Sequence, residues 1–505
     1  MKTILILMDT LNRHMLKTYN ENGEAITPNI DRLAKKSVVF ENHFIGSAPC
    51  MPARRDILTG RVNFLERGWG PIEPMDVTFP RILRQNGIFS HIVTDHCHYA
   101  ELGGEGYMQC YNTWDMIRGQ ETDVWASSVK EPTYPEHYIG RVGREYQCNR
   151  SRFETDADYP TPKTFAAATK WLQENRGADN FFLQVESFDP HEPFDATEEF
   201  KAMYPDDFET FYEWPRYDNL GKDETPEALE HLRHMYYATL SMADKWLGKL
   251  LDEMDAQNLW EDTMVIFTSD HGHMLGEHNA TGKNRFHAWN EMSNIPLFVH
   301  LPGDAYAGER VRALTQNIDI MPTVLDFFGI KTDLSKVHGK SWMPLFEGAK
   351  SIREYAIYGW FGKPVNITDG RYTYFRAPAS RDNTPLYQYY QMPVTFQGYL
   401  GKNLADEEKK YLTAGKYLSW TDELVYRLDQ GTLTLGKPKD MAEEAYETRL
   451  FDLITDPQQN HPLQDSEVED RMKQALIQTM KEHDTPLEQL ERLGLSFIEI
   501  GKESK

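Results

Sequence analysis

Four short apolar runs in this chain each end on an acid or a histidine, and that pattern narrows the folds open to it. Residues 3–8 run into Asp9, 88–94 into Asp95-His96-Cys97-His98, 181–185 towards Asp189-Pro190-His191, and 264–268 into Ser269-Asp270-His271. Unbroken apolar runs of this length suit strands buried on both faces, as in a parallel sheet. Helical spacing follows Thr27-Pro28 and recurs over 79–86, 163–175, 227–256 and 318–328, with further strands expected at 38–40 and 295–301. The alternation predicts an α/β fold: a large, mostly parallel or mixed central sheet flanked by helices on both faces. In such a sheet the ligand crevice lies outside the carboxyl ends of the strands. One acid there is more often a turn residue than a ligand. Four such ends at one edge point to a site.

The stretch Ser47-Ala48-Pro49-Cys50-Met51-Pro52-Ala53-Arg54 supplies a second focus, followed by Thr59-Gly60-Arg61. Pro52 lacks an N–H and has a preset φ, so it fits the first turn of a helix. Cys50 then falls at the helix N-terminus, where free N–H groups and the macrodipole favour negative charge. Arg54 rises one turn later. A nucleophile beside fixed positive potential suits attack on an anionic ester; a buried structural cysteine is the plainer alternative. Asp9, Asp270 and His271 form a mixed oxygen and nitrogen set for a divalent cation. Oxygen-rich ligation favours Ca²⁺ or Mg²⁺, and the imidazole also admits Mn²⁺ or Zn²⁺.

Cys-x-Pro-x-Arg followed by Thr-Gly-Arg resembles the signature of the type I sulfatases, in the alkaline phosphatase superfamily. The resemblance covers most of residues 1–350 and, more loosely, Phe451-Asp452-Leu453 and Asp456-Pro457. It implies that Cys50 is oxidised to formylglycine by a maturation enzyme. The hydrated aldehyde would be the nucleophile, and its oxygen would complete a cation site with Asp9, Asp270 and His271. It further implies that Lys283 contacts the sulfate and leaving oxygen, that His191 binds sulfate or protonates the leaving group, and that His98 deprotonates the hydrate. His96 stands where the family usually has a sulfate-clamping lysine, and Thr10 where many members carry a second acid or an amide. His287 is a further candidate on the leaving-group side. The substrate implied is a small sulfate ester, with a carbohydrate favoured. Phosphonate or phosphate ester hydrolysis in the same superfamily is the runner-up. A zinc-binding structural protein holding its ion on His96, Cys97, His98 and Cys110 is disfavoured, because strand alternation sends His96 and Cys97 to opposite faces.

Composition limits the partners. With 54 basic and 78 acidic residues the net charge is −24, which argues against nucleic acid and anionic membrane surfaces. Four cysteines in 505 residues make no disulfide framework. The apolar opening is too short for a signal sequence or a membrane span, so a cytoplasmic location is expected. Two domains are anticipated. Residues 1–350 would be catalytic, with an aperiodic insertion at about 103–160. Residues 351–505 would form a smaller α+β subdomain with a short antiparallel sheet, built from strands at 355–360, 371–376 and 449–453 and a helix at 466–484. The tyrosine-rich stretch 377–435 reads as irregular.

Overall fold

The computed structural model describes all residues except 286, 403, 432–440 and 497–505. Its main sheet has eight strands, in the spatial order Arg310–Gln316, Val38–Phe44, Leu297–His300, Thr263–Ser269, Lys2–Met8, Phe181–Ser187, Phe89–Thr94, Thr113–Met116. All neighbouring pairs are parallel except those made by Leu297–His300, which runs antiparallel to both of its neighbours. The sheet is therefore mixed, and the strands ending at Met8, Thr94, Ser187 and Ser269 point the same way.

Alternation along Lys2–Met8 divides the core. Ile4, Ile6 and Met8 join a cluster with Leu232, Met235, Tyr236 and Leu240 of the long helix Pro226–Ala256. Leu5 and Leu7 face the other way, into a cluster with Met51, Ile57 and Leu58 of the helix Cys50–Thr59. Each such side chain contributes about 1.5–3 kcal/mol on burial, so both faces of the central strand are committed. Among the described residues no helix is long and apolar enough to cross a membrane.

Two departures from the sequence reading concern strands that carry little hydrophobic signal. Thr113–Met116, inside the stretch read as an insertion, is the last strand of the main sheet, and its first three residues are exposed. The stretch read as irregular contains a three-stranded antiparallel sheet of Tyr387–Tyr390, Val425–Asp429 and Leu412–Gly415. Residues 432–435 of that stretch lie outside the described residues.

The smaller C-terminal subdomain is built on an antiparallel run of Ala356–Trp360, Val365–Thr368, Tyr372–Arg376 and Arg449–Asp452, backed by the helix Ser466–Glu482. Its fifth strand comes from far upstream. Ser47–Ala48 pairs in parallel with Gly359 and Trp360. The two residues that lead into Pro49 and Cys50 are thus the edge of the C-terminal sheet.

Candidate active site

Cys50 begins the helix Cys50–Thr59, every residue of which is buried, and it is itself only 2% exposed. The preceding turn is fixed by Asp56, which accepts from the Ser47 N–H and from the Ser47 hydroxyl at 2.8 Å. The helix stops at Gly60, whose φ of 64° lies in the left-handed region; a Cβ there would sit 2.7 Å from Val337 Cγ1. Arg61 then stacks on Trp420, 4.3 Å from its ring centre. The Thr-Gly-Arg part of the motif is a helix stop and an anchor.

Side chains that follow two strands of the main sheet, together with Lys283, meet Cys50 at the start of its helix. Its Sγ lies 3.3 Å from His271 Nε2, 3.8 Å from Asp9 Oδ1 and 3.6 Å from Lys283 Nζ. One ligand atom from each of Asp9, Cys50, Asp270 and His271 lies within 4.8 Å of all the others, and all four residues are buried. The His271 ring nitrogen Nδ1 is 2.8 Å from the Gly272 carbonyl. A carbonyl only accepts, so Nδ1 carries the proton and the Nε2 lone pair faces the cluster. Two carboxylates, an unprotonated imidazole nitrogen and the Cys50 position fit a divalent cation.

The turns bearing these groups are locked together. Thr10 adopts φ 63°, a costly region for a β-branched residue. Its N–H donates to Asp270 Oδ1 at 3.0 Å, and its hydroxyl donates to Asp9 Oδ1 at 2.6 Å while accepting from Lys283 Nζ at 3.0 Å. Ser269 Oγ donates to the His271 carbonyl at 2.7 Å and accepts from the Leu11 N–H at 3.1 Å. Gly272 has no room for a side chain, because a Cβ would lie 1.9 Å from the Glu291 carbonyl oxygen. Gly272→Ala is expected to destabilise the fold by about 1–3 kcal/mol and to weaken metal retention, checked by thermal unfolding and metal analysis.

Arg54 holds three carboxylates at once. Nη2 is 2.9 Å from Asp9, Nη1 is 2.7 Å from Asp270, and Nε donates to Glu186. Glu186 also accepts from the Tyr99 hydroxyl at 3.1 Å. Burial pushes Asp9 up, but Arg54, Lys283 and His271 outweigh it and hold the carboxyl below the usual range. Burial and Asp9 together push the Cys50 thiol well up, so the unmodified side chain is a thiol rather than a thiolate. Burial alone would lower Lys283; the acids Glu192, Asp9 and Asp270 act against that and keep it protonated.

The remaining predicted residues divide. His191 is buried, with Nδ1 2.6 Å from the Glu192 carbonyl and its ring 4.2 Å from Phe188. Burial and Lys283 keep it neutral. Its Nε2 is therefore an acceptor unless a bound anion offsets Lys283. His96 is wholly buried among Tyr99, His98 and Phe188, and neither ring nitrogen has a hydrogen-bond partner. His98 faces Glu101, 3.2 Å from Nδ1, and Glu121, 3.8 Å from Nε2, under the rings of Trp69 and Phe396. His287 packs on Phe375 and reaches the Glu444 carbonyl at 2.8 Å, so its contacts are those of a packing residue. Asp95 and Asp189 turn away from the metal cluster to share Gln120 and Thr161.

Sequence reasoning missed Glu186, Glu121 and Glu192. Glu186 lies one residue beyond the apolar run at 181–185, inside the strand, and a buried acid that close to three apolar neighbours was a usable signal. Glu192 lies in the Asp189-Pro190-His191-Glu192-Pro193 turn and accepts from the Tyr217 hydroxyl. Burial pushes its carboxyl up to about 7.

The family model described as Sulfatase matches residues 2–330. The choline-sulfatase of Rhizobium meliloti is 24% identical over 412 residues, which are 74% of this chain and 77% of that protein. The N-acetylglucosamine-6-O-sulfatase of Bacteroides thetaiotaomicron is 23% identical over 488 residues, 84% of each. The crystal structure of the phosphonate monoester hydrolase of Agrobacterium radiobacter superposes with a TM-score of 0.65, covering 95% of this chain and 96% of that one at 19% identity. That last likeness speaks for the fold alone.

Proposed function

Because the chain belongs to the sulfatase family and is a sulfuric ester hydrolase, we propose that it cleaves a carbohydrate sulfate ester with a formylglycine made from Cys50. The observation that carries this reading is the convergence of Asp9, Asp270, His271, Lys283 and Arg54 on the Cys50 side chain. Conversion of the thiol supplies a hydrated aldehyde, the group that unmodified Cys50 lacks as a buried, protonated thiol. Asp9, Asp270, His271 and the converted Cys50 would hold one divalent cation, Ca²⁺ by preference. Such an ion, when bound, would supply Lewis-acid polarisation of the ester.

The chain's own residues do the rest. Arg54 holds Asp9 and Asp270 in place and offsets their charge. Lys283, held protonated, faces the position of the sulfate and stabilises charge on the departing oxygen. His191 presents Nε2 to the ester and takes up a proton once the bound anion offsets Lys283, which fits it for the leaving-group side. His98, with Glu101 at Nδ1, has Nε2 free as the base that returns the site to its starting state. His96 lies beside His98 and Phe188 on the sulfate side. The carbohydrate is supported by the N-acetylglucosamine-6-O-sulfatase relative, which aligns along most of the chain. Trp69 and Phe396, packed over His98, offer rings for stacking.

Sulfate release from a panel of sulfated monosaccharides, with choline sulfate and phenyl phosphonate and phosphate esters alongside, tests the reading. The protein is co-expressed with a formylglycine-generating enzyme. Release from a sugar sulfate is the expected result. Turnover of phosphonates alone would move the chain to the runner-up chemistry. Chelation is expected to lower kcat at least about 100-fold, with recovery on Ca²⁺ and an unchanged circular dichroism spectrum. Unfolding on chelation would instead mark the ion as structural.

A further inference from the structure

Next to the catalytic cluster lies a second group of donors that the proposed reaction does not use together. Cys97, His98 and Glu121 each bring one ligand atom within 4.8 Å of the other two. Cys97 Sγ is 3.8 Å from Glu121 Oε2, and His98 Nε2 is 3.8 Å from the same oxygen. The imidazole–carboxylate gap is too long for a hydrogen bond. A tetrahedron around an ion bound at about 2.0 Å to nitrogen and oxygen and about 2.3 Å to sulfur has edges of about 3.3–3.5 Å, so each gap need close by only a few tenths of an ångström on binding.

An independent feature points the same way. The other imidazole nitrogen, His98 Nδ1, lies 3.2 Å from Glu101 Oε1. A carboxylate on the far nitrogen is how metal-bound histidines are usually oriented, since it fixes the tautomer that leaves Nε2 free to ligate. The local charge also suits a cation. Burial and the neighbouring acids Glu121, Asp123 and Glu101 all oppose ionisation of the Cys97 thiol. The side chains of His98 and Glu121 are each 12% exposed, which leaves a route for an ion.

We propose that Cys97, His98 and Glu121 form a second, inhibitory cation site, built for a borderline-soft divalent ion of the Zn²⁺ class, with Glu101 orienting His98; an ion there takes the Nε2 lone pair that otherwise serves as the base, so its binding and turnover exclude one another. A thiolate, an imidazole and a carboxylate select such an ion over Ca²⁺ or Mg²⁺. Binding releases the thiol proton to solvent. Three protein ligands leave a fourth position for water.

Co²⁺ titration of metal-free, full-length Cys50→Ala protein tests this without calling on activity. Removing the Cys50 thiol leaves the catalytic cluster without sulfur, so a thiolate-to-Co²⁺ absorption band in the near ultraviolet reports on the second site. The band is expected, and it should vanish in Cys50→Ala/Cys97→Ser. Zn²⁺ should displace Co²⁺ and bleach it. Glu101→Gln, which keeps all three ligands, should weaken binding about 10- to 100-fold. Absence of the band, or its survival in the Cys97→Ser protein, would overturn the proposal. If Cys97→Ser does not fold, Glu121→Gln decides, because an unchanged Co²⁺ affinity there is equally fatal.

Discussion

Cys50→Ala is expected to lower kcat/KM for sulfate ester hydrolysis by at least about 10⁴-fold, the scale seen when a nucleophile is deleted. The side chain is small and buried at the first turn of its helix, and truncating it leaves the Arg54 network untouched. Stability should therefore change by no more than about 1–2 kcal/mol, and activity and melting temperature should separate cleanly. Cys50→Ser is the sharper comparison. It restores an oxygen at nearly the same position, yet a serine offers one hydroxyl where an aldehyde hydrate offers two. An equally deep loss in Cys50→Ser, measured on the best substrate of the panel, supports formylglycine. A serine variant retaining a tenth or more of the activity would sink it.

The second large effect belongs to Arg54. Its guanidinium reaches Asp9, Asp270 and Glu186 through three separate nitrogens. A lysine ammonium is a point charge on a flexible stem and cannot span them. Arg54→Lys is expected to cost on the order of 3–5 kcal/mol, the range for removing one partner from a buried ionic network. It should also strip metal from the protein. The pH dependence has a definite sign. Asp9 is held below the pKa of an unfolded aspartate, about 4, so its contribution is present above that value and fades as pH falls below it. Melting temperatures of wild-type protein between pH 3 and 7 should show that slope, and Arg54→Lys should flatten it. A variant that melts like the wild type across the range would refute the network.

The fold was legible where burial writes itself into the sequence. The central strands at 2–8, 181–187 and 263–269 are covered on both faces and so read as apolar runs. Thr113–Met116 was not, because an exposed edge strand needs no such run. Ser47–Ala48 has two residues and no period at all. The site divides in the same way. Asp9, Asp270 and His271 follow strands directly, so their position in the chain predicted their position in space. Glu186 lies within a strand, and Glu121 comes from the aperiodic stretch. The run before Glu186 marks that residue as buried, but nothing local to either acid says which side chain it meets. Their roles depend on Arg54 and His98, which lie 132 and 23 positions away.

The pairing of Ser47–Ala48 with Gly359 and Trp360 also sets a clock. During synthesis the edge strand leading to Cys50 has no partner until about 300 further residues have been made. At ordinary elongation rates that interval is roughly 15–60 s. For most of it Cys50 also lacks His271 and Lys283, the downstream partners of its Sγ, which lie 221 and 233 positions further along the chain. A modifying enzyme needing direct access to the thiol would have this nascent interval in which to act.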